Sequence, residues 1–230
     1  LAKPRRPLSE SLPVHDQVYA SLRDAILTGR FEPGRGVSLR TLAADLGVSP
    51  MPVRDAVRRL VAEQALVINQ ANKRLATPSL TPDRVEQLTL AREWIEPELA
   101  ARAARQPDPE LAATLRRLDA DVDAAIARAD VQGYMAANHA FHFRLYERAG
   151  AEVLLAVAAS LWLQTGPFMR VVFNRLGPSN LTEDNHGAVA AAVAAGDPDA
   201  ARAALAADID VGMRALQAAA AEDRPAGGPA

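Results

Sequence analysis

Apolar positions recur at helical spacing through most of the chain. Val18, Leu22 and Ile26 share one face of a helix predicted from His15 to Thr28, closed by Gly29 and followed by a Pro33–Gly34 turn. Leu39, Leu42, Ala43 and Leu46 form the stripe of a short second helix, which Ser38 caps and Gly47 stops. A third helix, capped by Ser49, carries Val53, Ala56, Val57, Leu60 and Val61 on its inner face. Two short helices joined through a glycine turn make a helix-turn-helix. The period then changes: Ala65–Asn69 and Arg74–Thr77 read as short strands around a polar turn, a small hairpin or wing.

The run from Pro78 to Pro82 reads as a linker. Beyond it every periodic segment is helical, near 82–105, 108–128, 130–149, 152–173, 182–195 and 197–220. Pro107, Asp130, Gly150, Gly177–Pro178 and Gly196 separate these segments. The expectation is a mainly α protein in four parts. A winged helix-turn-helix domain with an N-terminal arm spans 1–77, and a linker spans 78–81. An antiparallel all-helical bundle spans 82–221, and a disordered tail spans 222–230.

Charge sharpens this division. Residues 1–80 carry 12 Lys/Arg against 7 Asp/Glu, whereas the remainder carries 14 against 21. A basic front joined to an acidic back suits a polyanion-binding module attached to a part with another task. The absence of cysteine excludes disulfides and thiolate metal sites and agrees with a reducing compartment. No apolar run approaches the roughly 20 residues of a membrane span, and the basic start lacks the apolar core of a secretory signal. A cytoplasmic protein with no membrane partner is expected.

The stretch GVSPMPVRDAVRRL (47–60) places Pro50 and Pro52 at the first and third positions of the third helix. Neither breaks a bond there, because first-turn amides have no intrahelical acceptor, and together they stiffen the entry. Arg54 and Arg58 lie opposite the apolar stripe, with Asp55 and Arg59 at the margins. Such a face is either a solvated surface with a local Asp55–Arg59 pair or a surface for DNA. The order helix, turn, basic helix and wing, with Lys73 and Arg74 on the wing, favours DNA. The segment VYASLRDAILTGRFEPGRGVSLRTLAADLGVSPMPVRDAVRRLVAEQALV closely resembles the winged helix-turn-helix of GntR-type bacterial transcription regulators. That resemblance implies that Arg40, Ser49, Met51, Pro52 and Arg54 lie at the DNA surface, with the wing reaching a neighbouring groove. The chain departs from its relatives at Pro50, where many carry an arginine that reads a guanine. It departs again at Lys73–Arg74, where glycine is frequent. The resemblance therefore implies an altered operator preference at Pro50 and added phosphate contact from the wing, with Arg58 nearer the backbone.

Polar residues interrupt the apolar stripes of the helical part. Asn138 and His142 share a face with Tyr134, Phe141 and Leu145; His186 lies with Val189, Ala190 and Val193; Asp208 lies with Ala201, Leu205 and Gly212. Two imidazoles, a carboxylate and an amide oxygen suit a divalent ion of the Zn, Ni or Mn class with open positions, or else form a metal-free polar pocket. Arg92 sits on the Val85, Leu88, Ile95, Leu99 stripe and needs an anion: Glu96 one turn on, a ligand, or both together. Arg170 is a candidate second positive contact. Asn138, Phe141 and His142 followed by His186 and Asp208 resemble the FCD effector domain of the FadR-type subgroup, which often binds metal through an Asp-x-x-x-His pair and two later histidines. Asn138 stands where that family has aspartate, and Asp208 where it has the third histidine. The resemblance implies that Arg92 grips the carboxylate of a small effector beside the metal. The combined expectation is a dimeric, ligand-responsive repressor on a pseudo-palindromic operator, sensing a small organic acid. A metal-dependent enzyme built on the helical part is the alternative; it lacks a general-base carboxylate and a nucleophile motif.

Overall fold

The structure, a computed structural model, describes residues 13–31, 35–176 and 184–222. The N-terminal arm, the Pro33–Gly34 turn, the Gly177–Pro178 break, the start of the helix expected from 182 and the tail from 223 lie outside the described residues. Two compact units form. One contains the chain up to Ser79 together with Trp162–Pro167, and the other contains Leu80–Leu161 and the chain from Phe168 onward.

In the first unit, α1 (Val14–Leu27), α2 (Leu39–Leu46) and α3 (Pro50–Ala62) precede β1 (Val67–Ile68) and β2 (Leu75–Ala76). Val18, Ile26, Val53 and Leu60 have no exposed surface, so the predicted stripes of α1 and α3 bury against each other. Ser38 Oγ accepts the Thr41 amide at 3.0 Å, and Gly47 closes α2 in the left-handed conformation at φ 68°. Tyr19 on α1 donates its hydroxyl to Glu63 at 2.8 Å, and the Arg59 guanidinium lies 3.7 Å above the Tyr19 ring. Arg59 also reaches Glu63 at 3.2 Å. The expected Asp55–Arg59 pair is therefore corrected: Asp55 meets Arg58 at 3.7 Å, because Glu63 and Tyr19 draw Arg59 away.

The strands are shorter than expected. The amides of Ala65 and Leu66 return to the Leu60 carbonyl and close α3, so they cannot enter the ladder. At the far end, Asn69 Oδ1 accepts the amides of Ala71 and Asn72, curling the turn before Lys73, which stands at φ 56°. The hairpin pairs Val67 with Ala76 and Ile68 with Leu75, and Val37 bridges Leu75 from the other side.

The second unit contains α4 (Pro82–Ala103), α5 (Pro109–Ala127), α6 (Val131–Arg148), α7 (Glu152–Thr165), α8 (Met169–Leu176), α9 (Asn185–Ala195) and α10 (Pro198–Glu222), with the last residues of α7 belonging to the first unit. α10 packs along α4, α8 and α9, while α5 packs against α6 and α9. Leu99, Leu115, Phe141, Leu145, Tyr146 and Leu205 fill the centre. The single helix expected over 152–173 is broken by a 3-10 turn at Gly166–Phe168. Pro167 lacks an amide hydrogen and its ring opposes the carbonyl four residues back, so the α pattern cannot continue. Glu152–Asn174 is apolar and long enough for a membrane span by composition, contrary to the sequence reading. Half of its most apolar window is buried within the protein, and the 3-10 turn interrupts it.

Gly196 ends α9 at φ 70°, and a Cβ there would lie 2.6 Å from Pro107 Cδ. Gly212, within α10, has open space at the same position. Gly196→Ala is expected to destabilise the second unit by more than about 1 kcal/mol. Gly212→Ala is expected to stabilise it by about 0.5–1 kcal/mol, both read from chemical denaturation.

Candidate functional site

α3 presents Pro50, Met51, Arg54 and Arg58 to solvent, with Pro52 half-buried and Arg40 exposed on α2. Neither Arg40 nor Arg54 has an ion-pair partner among the described residues, while Arg58 shares Asp55. Ser49 occupies the N-cap position of α3, yet its hydroxyl makes no capping bond. The expectation that it caps by hydrogen bond is corrected, and the cause is local. Ser38, Thr81, Asp108, Asp130, Asp184 and Asp197 each accept the amide of the third helical residue. In α3 that residue is Pro52, which has no amide hydrogen. On the wing, Lys73 is exposed and reaches Gln70 at 3.1 Å. Arg74, by contrast, donates twice to the Gly36 carbonyl, at 2.9 and 2.6 Å, and so ties the hairpin to the strand-like residues before α2.

Within the second unit, Arg92, Asn138, His142, His186 and Asp208 all line one cavity of about 260 Å³. His142 Nε2 lies 3.3 Å from Asp208 Oδ2, and His186 Nε2 lies 3.5 Å from Asp208 Oδ1. The other ring nitrogens are held elsewhere. His142 Nδ1 meets the Tyr146 hydroxyl at 3.0 Å, and His186 Nδ1 meets Asp119 at 3.0 Å. Phe141 stacks on the His186 ring with centroids 3.9 Å apart. Tyr146 in turn donates to Glu96 at 2.6 Å, and Glu96, fully buried, receives Arg92 through both oxygens at 2.7 and 3.1 Å. Between the two readings of Arg92, the structure thus supplies the internal anion. Arg170 does not line the cavity: α8 turns Met169 and Val172 toward it.

The electrostatics follow from this packing. Burial holds the His142 pKa below the usual imidazole value, although Asp208 pulls the other way. Burial also opposes charge on His186, but Asp208, Asp119 and Asp184 outweigh it and raise its pKa. Burial would raise Asp208, yet His186, His142 and Arg92 bring it down to about 2. The donor set suits a divalent cation. One ligand atom from each of His142, His186 and Asp208 lies within 4.8 Å of the others. His186 Nε2 is buried and makes no hydrogen bond, and each imidazole is oriented through its far nitrogen. Asn138, one turn before His142, is buried at the same cavity.

Sequence reasoning missed Asp119 and Tyr146. Both carried a signal: Asp119 lies between Leu115 and Val122 on the buried stripe of α5, and Tyr146 is one turn beyond His142.

Comparison with known proteins agrees with the division into two parts. Residues 14–72 match the bacterial regulatory proteins of the gntR family, and residues 87–211 match the FCD domain. The chain is 27% identical over 192 residues to the HTH-type transcriptional regulator McbR of Escherichia coli (strain K12), covering 83% of this chain and 86% of that protein. It is 33% identical over 144 residues to an HTH-type transcriptional regulator from the TAR-I ttuE-ttuC' intergenic region of Agrobacterium vitis, covering 61% and 78% respectively. The solved structure of E. coli McbR/YncC superposes with a TM-score of 0.82 at 25% identity, covering 90% of this chain and 99% of that one.

The buried Arg92–Glu96 pair yields a stability test. Glu96→Leu leaves Arg92 and the Tyr146 hydroxyl without their carboxylate and is expected to cost about 3–5 kcal/mol. The double variant Arg92→Leu/Glu96→Leu is expected to recover more than half of that loss in denaturant unfolding.

Proposed function

The chain belongs to the GntR family of bacterial transcriptional regulators and carries an FCD domain, and from that premise we propose a ligand-responsive repressor that binds a pseudo-palindromic operator as a dimer. The family is one of regulators rather than enzymes, so the metal-dependent enzyme is set aside. α3 enters the major groove with Ser49, Pro50, Met51, Pro52 and Arg54 toward the bases, and Arg40 and Arg58 toward phosphate. Lys73 adds a phosphate contact from the wing, whereas Arg74 acts as a positioning residue through Gly36. The domain boundaries proposed are 1–77, 78–81 and 82–221. In such a dimer a second copy would cover exposed apolar side chains of the second unit such as Trp94, 74% exposed, and Val153, 78% exposed. The protein works in the cytoplasm, where its operator lies.

The effector proposed is a small organic acid held through a divalent cation. The observation that carries this is the convergence of His142, His186 and Asp208 on one cavity with an unbonded His186 Nε2. Asn138 supplies an amide oxygen to the same cation. When bound, the cation offers open positions to a carboxylate. Arg92 is already neutralised by Glu96, so the cation supplies the main positive charge and Arg92 orients the ligand. Coupling then requires only that the effector bind the DNA-free form more tightly.

Two measurements test this. Arg54→Ala is expected to lose about 1–3 kcal/mol of specific operator affinity in titrations at fixed salt, with its thermal midpoint unchanged; unaltered affinity removes Arg54 from base readout. Zn, Ni or Mn salts are expected to raise the thermal midpoint of the wild type, and an organic acid to raise it further only with metal present. His142→Ala and Asp208→Asn are expected to abolish the metal-dependent rise and the bound metal in elemental analysis.

A further inference from the structure

The first turn of α3 combines two unusual properties. With proline at its first and third positions, it offers the Met51 amide alone among its first three residues as a hydrogen-bond donor. It also carries Met51, at 58% the most exposed large apolar side chain among the described residues of the first unit. Pro50 beside it is exposed as well. Arg54, one turn on, and Arg40 on α2 are both exposed and have no ion-pair partner among the described residues, so this apolar turn belongs to a unit whose free cations attract polyanions. An exposed methionine on a surface built to bind a polyanion is placed to be covered by that partner.

Major-groove chemistry restricts that partner. The groove edges of guanine, cytosine and adenine present hydrogen-bonding groups, and thymine alone adds an apolar group, the C5-methyl. At Pro50 and Met51 the side chains bring no hydrogen-bond donor to a guanine edge, but their apolar atoms can bury a methyl. Methionine suits this role because it is unbranched, and its polarisable thioether adjusts to the position of a small apolar group. We infer that Met51, backed by Pro50, reads a thymine C5-methyl in each operator half-site, making this position of the operator a thymine contact rather than a guanine contact. The inference rests on the proposed docking of α3 in the major groove and adds to it the identity of the base group recognised.

The test uses the whole chain and an operator selected from random duplex DNA. Each thymine of a half-site is replaced singly by deoxyuridine, which removes the methyl and leaves pairing intact. One position in each half-site is expected to weaken wild-type binding about fourfold, the loss that corresponds to one buried methyl-sized group. Met51→Ala protein is expected to bind the thymine operator about as weakly as wild type binds the uracil one, and to show no further loss on substitution. Because Met51 is exposed, this variant keeps the wild-type thermal midpoint. Equal uracil sensitivity in wild type and Met51→Ala overturns the assignment, as does insensitivity at every thymine. Failure to select any specific duplex overturns the docking of α3 itself and the assignment with it.

Discussion

The Glu96 carboxylate is the buried charge on which the second unit is organised. It has no exposed surface, and Arg92 and Tyr146 both donate to it, which offsets the cost of burying its charge. Tyr146 then fixes His142, His142 faces Asp208, Asp208 faces His186, and Asp119 fixes His186 from behind. One network of ionic and polar contacts therefore runs through α4, α6, α10, α9 and α5. Its middle members border the cavity, so anything that binds there enters a set of groups whose orientations are already fixed. Preorganisation of this kind spares a ligand the entropy of ordering its own site.

The first unit solves a different problem, that of keeping a polar surface rigid. Its interior is mainly apolar, with Thr77 and Thr165 buried in it, while specific polar contacts hold its outer face. Tyr19, Glu63 and Arg59 lock α1 to α3, and Arg74 locks the hairpin to Gly36. Each of these uses a charged residue that composition alone would assign to solvent or to DNA.

Helical periodicity made most of both units legible. It placed Asn138, His142, His186 and Asp208 on inward faces, and the structure brings all four to one cavity, because an inward polar group on a helix of a bundle has few places to go. What periodicity could not give was pairing between distant helices. Asp119 was passed over as one carboxylate among many on α5, since its role exists only once α9 delivers His186 to it. The same limit hid Tyr19 as the partner of Glu63, and so misassigned the neighbour of Asp55. The capping rule failed at Ser49 for a covalent reason: it presumes an amide hydrogen that Pro52 does not possess. The long helix expected over 152–173 failed at Pro167, where an apolar run continued but the backbone could not.

The clamp on Arg59 has an evolutionary consequence. Four consecutive turns of one helix usually look equally free to change, but here the outward residues of α3 divide into two kinds. Met51 and Arg54 are exposed and make no side-chain hydrogen bond or ion pair among the described residues, so substitutions there can retune sequence preference while the protein still folds. Arg59 is stacked on Tyr19 and paired with Glu63, which makes it part of the scaffold despite its outward position. Divergence of operator preference among close descendants of this chain is thereby channelled to the leading end of the helix, with its trailing end held constant by folding rather than by DNA.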